Sequence, residues 1–282
     1  LNATKTGEIA SFQDFYLCER DEINLLNSGR VYLGDAFNQS QLSRNYIINT
    51  PNILKEESCI SLSMAHIAVT EENMTVSVND SVLGSFKFDA RPSNDVVATK
   101  TTAKYDFVPS KTSSIDIKLT YSLPSSSAYL DYFVFNFKRK LQKEARKSLN
   151  FRFIDNIGVS GNYTYKLYNI NSNVQVWNIT DLQNVEKMPV QKLNNNLIFV
   201  DNKSSLKEYL AVDVKSDEFL QPQVVGKISN QNLHSLGQVD MVIIAHPDFL
   251  DAANRLAQIH LEYDGLTTHV VTPEVIYNEF AS

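Results

Sequence analysis

The sequence predicts a mainly β protein with a C-terminal α/β segment. The parts are an antiparallel β-sandwich of jelly-roll type, a second β-rich region, and a truncated βαβα unit with parallel strands. Three observations carry this. Apolar and polar residues alternate with period two through the first half of the chain. Short strand-like runs punctuated by Asn, Gly and Pro continue through the middle. Near Val239 the texture changes to an unbroken apolar strand followed by helix-period spacing. The domain boundaries expected from these textures are 1–148, 149–236 and 237–282.

In the first part, Cys59 to Val69, Met74 to Val78 and Ile115 to Leu119 each alternate, the mark of a half-buried strand. Asn79-Asp80 separates Val78 from the resumed run at Val82, which reads as a hairpin turn. Ala128 to Phe137 is a long strand with aromatics on both faces. Short strands, regular spacing and no helical stretch of length argue a two-sheet sandwich.

In the middle part, strands are expected at Tyr163 to Ile170, Val174 to Ile179, Asn196 to Val200 and Glu208 to Val214. Ser160-Gly161-Asn162, Pro189, Asn194-Asn195 and Pro222 separate them. The lone Trp177 is read as a buried anchor in preference to an exposed platform.

In the last part, Met241 to Ala245 is a short apolar strand of the parallel, doubly covered type. His246-Pro247-Asp248 breaks it. Phe249, Ala253, Leu256, Ala257 and His260 then follow at helical spacing, with Gly265 as the stop. Asp248 is the expected N-cap. His269-Val270-Val271 is a second strand, and Pro273 opens a helix with Val275, Ile276 and Phe280 on its apolar side. Two parallel strands need cover on both faces, so the chain is expected to stop inside a larger α/β domain.

The 282 residues are 43% hydrophobic, 21% charged and 10% aromatic, which excludes general disorder. A net charge of −6 argues against nucleic acid as a partner. No apolar run reaches the roughly 18 residues of a membrane helix. The chain begins at Leu1 rather than Met, with no signal-peptide pattern. Cys18 and Cys59 are either one bridge or two buried thiols. Phosphate loops, paired CxxC ligands and dinucleotide fingerprints are all missing from the sequence, whose nine glycines leave little scope for backbone cradles.

The segment Gly226 to Leu236, the strand Asp240 to Ile244, His246-Pro247-Asp248-Phe249, Ala253 to Ala257 and Val270 to Phe280 together resemble the opening of a catalytic domain. The family is that of the gingipain-type cysteine peptidases, and the resemblance is strongest to the sortase type of the type IX secretion system. Tyr32 to Phe37, Tyr129 to Tyr132, Arg139 and Leu141 are similar to the N-terminal region of those proteins. The resemblance implies a caspase-like peptidase whose catalytic His and Cys lie after Ser282, so no catalytic, cofactor-binding or metal-ligating residue is assigned and the chain alone is expected to be inert. It implies the chain's own downstream peptidase domain, exported cargo proteins, other secretion components and lipopolysaccharide as partners. It also implies a place at the bacterial cell surface and leaves room for a structural calcium.

Four groupings of residues have both a chemical and a plainer reading. Cys59 and His66 lie seven apart on one strand, an odd offset that puts them on opposite faces. His246, Asp248, His260 and Asp264 are the densest His/carboxylate grouping, read as a helix-end ion pair or solvated face; His246 at a strand end is also placed where α/β proteins keep ligand clefts. Lys138-Arg139-Lys140, Lys143, Arg146 and Lys147 are read as a solvated connector, or as a surface for anionic lipopolysaccharide or an acidic tail. Tyr129, Tyr132, Phe133 and Phe135 are read as core, or as a sugar-binding platform. The alternative function is accordingly a carbohydrate-binding or adhesion module; a third is a propeptide-like inhibitor.

Overall fold

The computed structural model describes residues 5–27, 31–92, 97–122, 126–144, 147–155, 157–216 and 219–280. Arg146 lies outside them. The chain separates into two compact units, 1–219 and 220–282.

Unit 1 is all β. Its strands are β1 (Lys5–Ile9), β2 (Ser11–Glu19), β3 (Ala36–Phe37), β4 (Ser43–Asn49), β5 (Ser58–His66) and β6 (Glu72–Val78). Next come β7 (Ser81–Phe88), β8 (Thr99–Phe107), β9 (Ser114–Ser122), β10 (Ala128–Lys140), β11 (Leu149–Arg152) and β12 (Asn162–Leu167). The series ends with β13 (Val174–Asn178), β14 (Glu186–Lys187), β15 (Val190–Leu193), β16 (Asn196–Asn202) and β17 (Glu208–Asp213).

One long sheet runs β14-β13-β17-β11-β2-β10-β5-β8, with β3 added to β10. Two shorter sheets share it. The sheet β4-β9-β6-β7 closes a core with Ile60, Leu62, Met74, Val76, Ile117, Phe133 and Phe135. The sheet β1-β12-β16-β15 goes with a second core of Phe12, Phe151, Tyr165, Phe199 and Tyr209. The strand β2 serves both: Phe12 enters the second core and Cys18 the first. The predicted sandwich is therefore present, antiparallel except for the parallel pair β1–β12.

The alternation read from the sequence explains the strands. Ile115, Ile117, Leu119 and Tyr121 of β9 all turn inward and are buried. The β6–β7 connection is Asn79-Asp80, with φ of 48° and 68°, the double positive φ of a primed hairpin turn. Lys138, Arg139 and Lys140 are the end of β10, not a connector, because their backbone pairs with Gln13, Phe12 and Ser11 of β2. Trp177 is half-buried rather than a core anchor, since β14 at the sheet's end covers only part of β13.

Unit 2 holds β18 (Met241–Ile244), α1 (Leu250–Ile259), β19 (Thr268–Val271) and α2 (Pro273–Glu279). The two strands are parallel and in register, Met241 opposite Thr268. The helix α1 widens into a π turn over His260–Asp264 and stops at Gly265, whose φ of 67° suits a residue without a Cβ. Asp248 does not cap. A 3-10 turn, Pro247–Phe249, precedes α1, and the His246 Nδ1 accepts the Asp248 N–H instead. Phe249 and Leu256 are exposed in this unit, because Ala253 and Ala257 form the inner face. No described helix is long and apolar enough to cross a membrane.

Candidate functional site

The outer face of the sandwich's larger sheet carries the best-formed concavities. The outward residues of β5 are small: Cys59, Ser61, Ser63 and Ala65. Their neighbours across the ladders are longer: Lys100, Thr102 and Lys104 on β8, Tyr132, Val134 and Asn136 on β10. A small floor between taller walls makes a groove. At its head is an apolar cavity of about 330 Å³, lined by Leu25, Leu26, Val31, Leu33, Val97 and Ala98 among others. A shallower hollow of about 290 Å³ lies at Ser61, Thr102, Lys104 and Tyr132.

A β-bulge shapes this face. The register of β10 against β5 shifts between Leu130 and Tyr132, so Asp131 and Tyr132 both turn outward. The Asp131 carboxylate accepts from Ser63 Oγ at 2.9 Å and pairs with Lys100 Nζ at 2.7 Å. The Lys100 ammonium also sits 5.8 Å from the Tyr132 ring centre. Of the four aromatics read as core or platform, Phe133 and Phe135 are core, while Tyr129 and Tyr132 are half-buried on the other side.

Just before β3 lies a residue that sequence reasoning did not single out. Asp35 is buried and takes Arg44 at 3.0 Å, Arg20 at 3.4 Å and the Tyr46 hydroxyl at 3.0 Å. Burial and that carboxylate push the Tyr46 phenol far above its ordinary range. A lone Asp in a loop gives no sequence signal; only its partners reveal it.

A second buried polar group lies in the sandwich core. Glu72 accepts from the Tyr121 hydroxyl and lies 3.2 Å from His66 Nε2. His66 stacks on Phe88 with ring centres 4.8 Å apart. This is where one half of the Cys59/His66 pair goes. Cys59 faces outward and its thiol is pushed up, first by burial. The two side chains do not meet, as the odd offset requires. The thiols Cys18 and Cys59 are both free. β10 separates their strands, and Cys18 pairs with Phe133 while Cys59 pairs with Asn136, too far apart for a bridge.

In unit 2, His260 Nδ1 bonds Asp264 at 2.7 Å and His246 Nδ1 lies 3.5 Å from Asp248, two local pairs rather than one cluster. Among the described residues no three His, Cys, Asp or Glu side chains converge as a metal would need. The basic run is also dispersed: Lys138 lies 3.3 Å from both Glu56 and Asp155, Arg139 3.0 Å from Asp14, and Lys143 is buried. The tightest carboxylate in unit 2 is Glu279. It accepts the Leu233 N–H at 2.6 Å and the His234 N–H at 3.2 Å, and lies 3.0 Å from His234 Nδ1. These donors hold it down at about 2.

Residues 234–282 match the model of Peptidase family C25. No curated protein matches the chain. Among solved structures the chain is similar to dimeric latent PorU from Porphyromonas gingivalis, with a TM-score of 0.82 at 21% identity over 99% of this chain. That match covers 27% of the PorU chain, so this sequence spans about a quarter of its length. A family 35 carbohydrate-binding module from Clostridium thermocellum gives a TM-score of 0.29 at 14% identity, over 44% of this chain and 90% of that one. A likeness so low supports no reading of function. The fold is that of PorU, and together with the family C25 match it makes the chain PorU-like.

Proposed function

We propose that this chain is the non-catalytic N-terminal portion of a gingipain-like cysteine endopeptidase of the sortase type, working at the bacterial cell surface in type IX secretion. The observation that carries the reading is the family C25 match falling on β18, α1, β19 and α2, in a chain whose fold follows PorU over 99% of its length. Unit 2 supplies the first βαβα of the peptidase sheet. Unit 1 supports that domain and presents exported cargo to it. The three functional parts of this reading are 1–148, 149–236 and 237–282.

Catalysis belongs to a His and a Cys outside this chain, since Cys18 and Cys59 lack an activating partner. The coding sequence after Ser282 tests the proposal. An open frame running on into an α/β domain with a His and a Cys supports it; a stop codon there refutes it. Deleting the coding region for unit 1 from the bacterium is then expected to leave cargo with its C-terminal sorting domain uncleaved.

A further inference from the structure

We propose that the apolar cavity at the head of the sandwich's outer face binds a single aliphatic chain under an uncharged polar head, an alcohol or an acyl ester. The cavity lies wholly in unit 1, so the proposal stands or falls apart from the peptidase reading.

Three observations converge there. First, both walls are fixed by backbone hydrogen bonds. On one side Ile23 and Leu33 exchange theirs at 2.8 Å each way, and the Gly34 N–H donates to the Leu130 carbonyl of β10 at 2.7 Å. On the other side Thr99 and Lys100 of β8 are in register with His66 and Ala65 of β5. The space between is about 330 Å³, and Leu33, Met64 and Ala65 are its buried lining. Walls held in this way form a pocket before any ligand arrives, at the small end of ligand-pocket sizes.

Second, the lining is aliphatic. Leu25, Leu26, Val31, Val97 and Ala98 add to it, and among the described residues no aromatic ring lines it. A sugar or a nucleobase finds no ring there to stack on, whereas an alkyl chain sheds water along its whole length. Leu26 and Val31 are 63% and 61% exposed, apolar surface that a bound chain covers.

Third, the charges at the cavity cancel. Among the described lining residues the ionisable ones are Lys100 and Asp131, and they pair with each other at 2.7 Å. Ser63 Oγ donates to the same carboxylate at 2.9 Å. A carboxylate head on the ligand would be brought up against Asp131, and an ammonium head against Lys100. Either has to break the existing pair to find a partner of its own, and a desolvated charge without one is costly. A hydroxyl or an ester leaves the pair intact, so the head that fits is neutral.

The test titrates the whole 282-residue chain with hexanol, octanol and decanol, following the methyl NMR resonances of Val31, Leu33 and Val97. Saturable shifts at these methyls are expected, with affinity rising about fourfold per added methylene. Decanoate and decylammonium should each bind about tenfold more weakly than decanol. Ala98→Phe, which fills the space, and Leu26→Asp, at an exposed position, should each weaken decanol about tenfold or more. Lys100→Met leaves Asp131 without its cation and should reverse the order, so that decylammonium binds best. Leu26 and Lys100 are both largely exposed, so these two variants report on binding even if Ala98→Phe fails to fold. Glycerol monodecanoate carries the same chain as an acyl ester and separates the two sources: binding tighter than decanol assigns the cavity to a lipid chain, weaker binding to a free alcohol.

Shifts that never saturate, an affinity indifferent to chain length, equal binding of decanoate, or indifference to both Ala98→Phe and Leu26→Asp would overturn the proposal. A Lys100→Met chain that still prefers decanol would overturn the assignment of the head.

Discussion

In the sandwich, Ile115, Ile117, Leu119, Phe133 and Phe135 are completely buried, whereas in β18 of unit 2 Val242 and Ile244 are 52% and 61% exposed. Both regions are made of β-branched and apolar strand residues. The difference is architectural. Antiparallel strands in unit 1 find a second sheet to close on, and each core is complete within the unit. Parallel strands are built to be covered on both faces. In unit 2 α1 packs against β19, and Phe249, Leu256, Ile259 and Tyr263, on α1 and the turns at its two ends, are exposed apolar side chains as well. A strand's sequence thus states how much cover it needs, not whether the cover is at hand.

The comparison is broken most directly by truncating one strand side chain in each region, buried in the sandwich and exposed in β18. Phe135→Ala should cost about 3–5 kcal/mol, because the ring stacks between Phe107 and Phe137 and leaves a cavity. Val242→Ala in β18 should cost less than about 0.5 kcal/mol. Urea unfolding followed by far-UV circular dichroism reads both. Equal losses would mean that unit 2 buries its strand as thoroughly as the sandwich does.

The next effect sharpens what the sandwich tolerates inside. Tyr121→Phe removes the hydroxyl that donates to Glu72 and leaves that buried carboxylate with one donor fewer. A hydrogen bond to a charged group suggests a loss of about 1–3 kcal/mol in the same measurement. Gly161→Ala should follow at about 1–3 kcal/mol. Its φ of 118° strains any side chain, and Thr6 occupies the place a Cβ would take. Unlike Phe135, it acts on the junction between β1 and β12, so its loss should speed amide exchange in that sheet first.

Much of this was legible in the residues and some was not. The strands β5, β6, β9 and β10 alternate cleanly because one face meets a core and the other meets water. The Asn79-Asp80 turn followed from its two positive-φ residues. The βαβα order of unit 2 followed from the change of period at Val239. The strand β2 was invisible, because Phe15-Tyr16-Leu17 are three exposed apolar residues in a row and break the alternation. Nor does any local pattern say that β1 serves the second core and β2 serves both; strand pairing over more than a hundred residues leaves no periodic trace. The Asp35 and Glu72 networks were hidden for the same reason, since a buried carboxylate is recognised by its partners.

In unit 2 the polar contacts matter more, and pH should reveal it. The ordinary value for Glu279 is 4.5, and the Leu233, Gln231 and His234 donors hold it at about 2. A carboxylate lowered on folding stabilises the fold fully above about pH 4.5, and the contribution fades as pH falls through about 2. Amide exchange should show Leu233 and His234 protected at pH 6, then progressively released toward pH 2. Glu279→Gln should release them at every pH, while Leu119 in the sandwich stays protected. Protection of Leu233 that persists in the Gln variant would show that the clamp is not the carboxylate.

The smallest expected effect is chemical. A peptidase nucleophile needs a lowered thiol and a base within hydrogen-bond reach. Burial raises both thiols here: Cys18 is buried against the first core, and Cys59 looks outward with its nearest hydroxyl, Ser61 Oγ, at 3.7 Å. His66, seven residues on, is turned inward onto Phe88 and Glu72. Peptidase-directed acyloxymethyl ketones should therefore leave both residues unmodified. Iodoacetamide should alkylate Cys59 slowly, faster as pH rises above 9, and Cys18 only once the sandwich unfolds. Mass spectrometry of the treated chain separates the two sites. Rapid labelling of Cys59 by the ketone at neutral pH would place a nucleophile in unit 1 and overturn the assignment of catalysis to groups outside this chain.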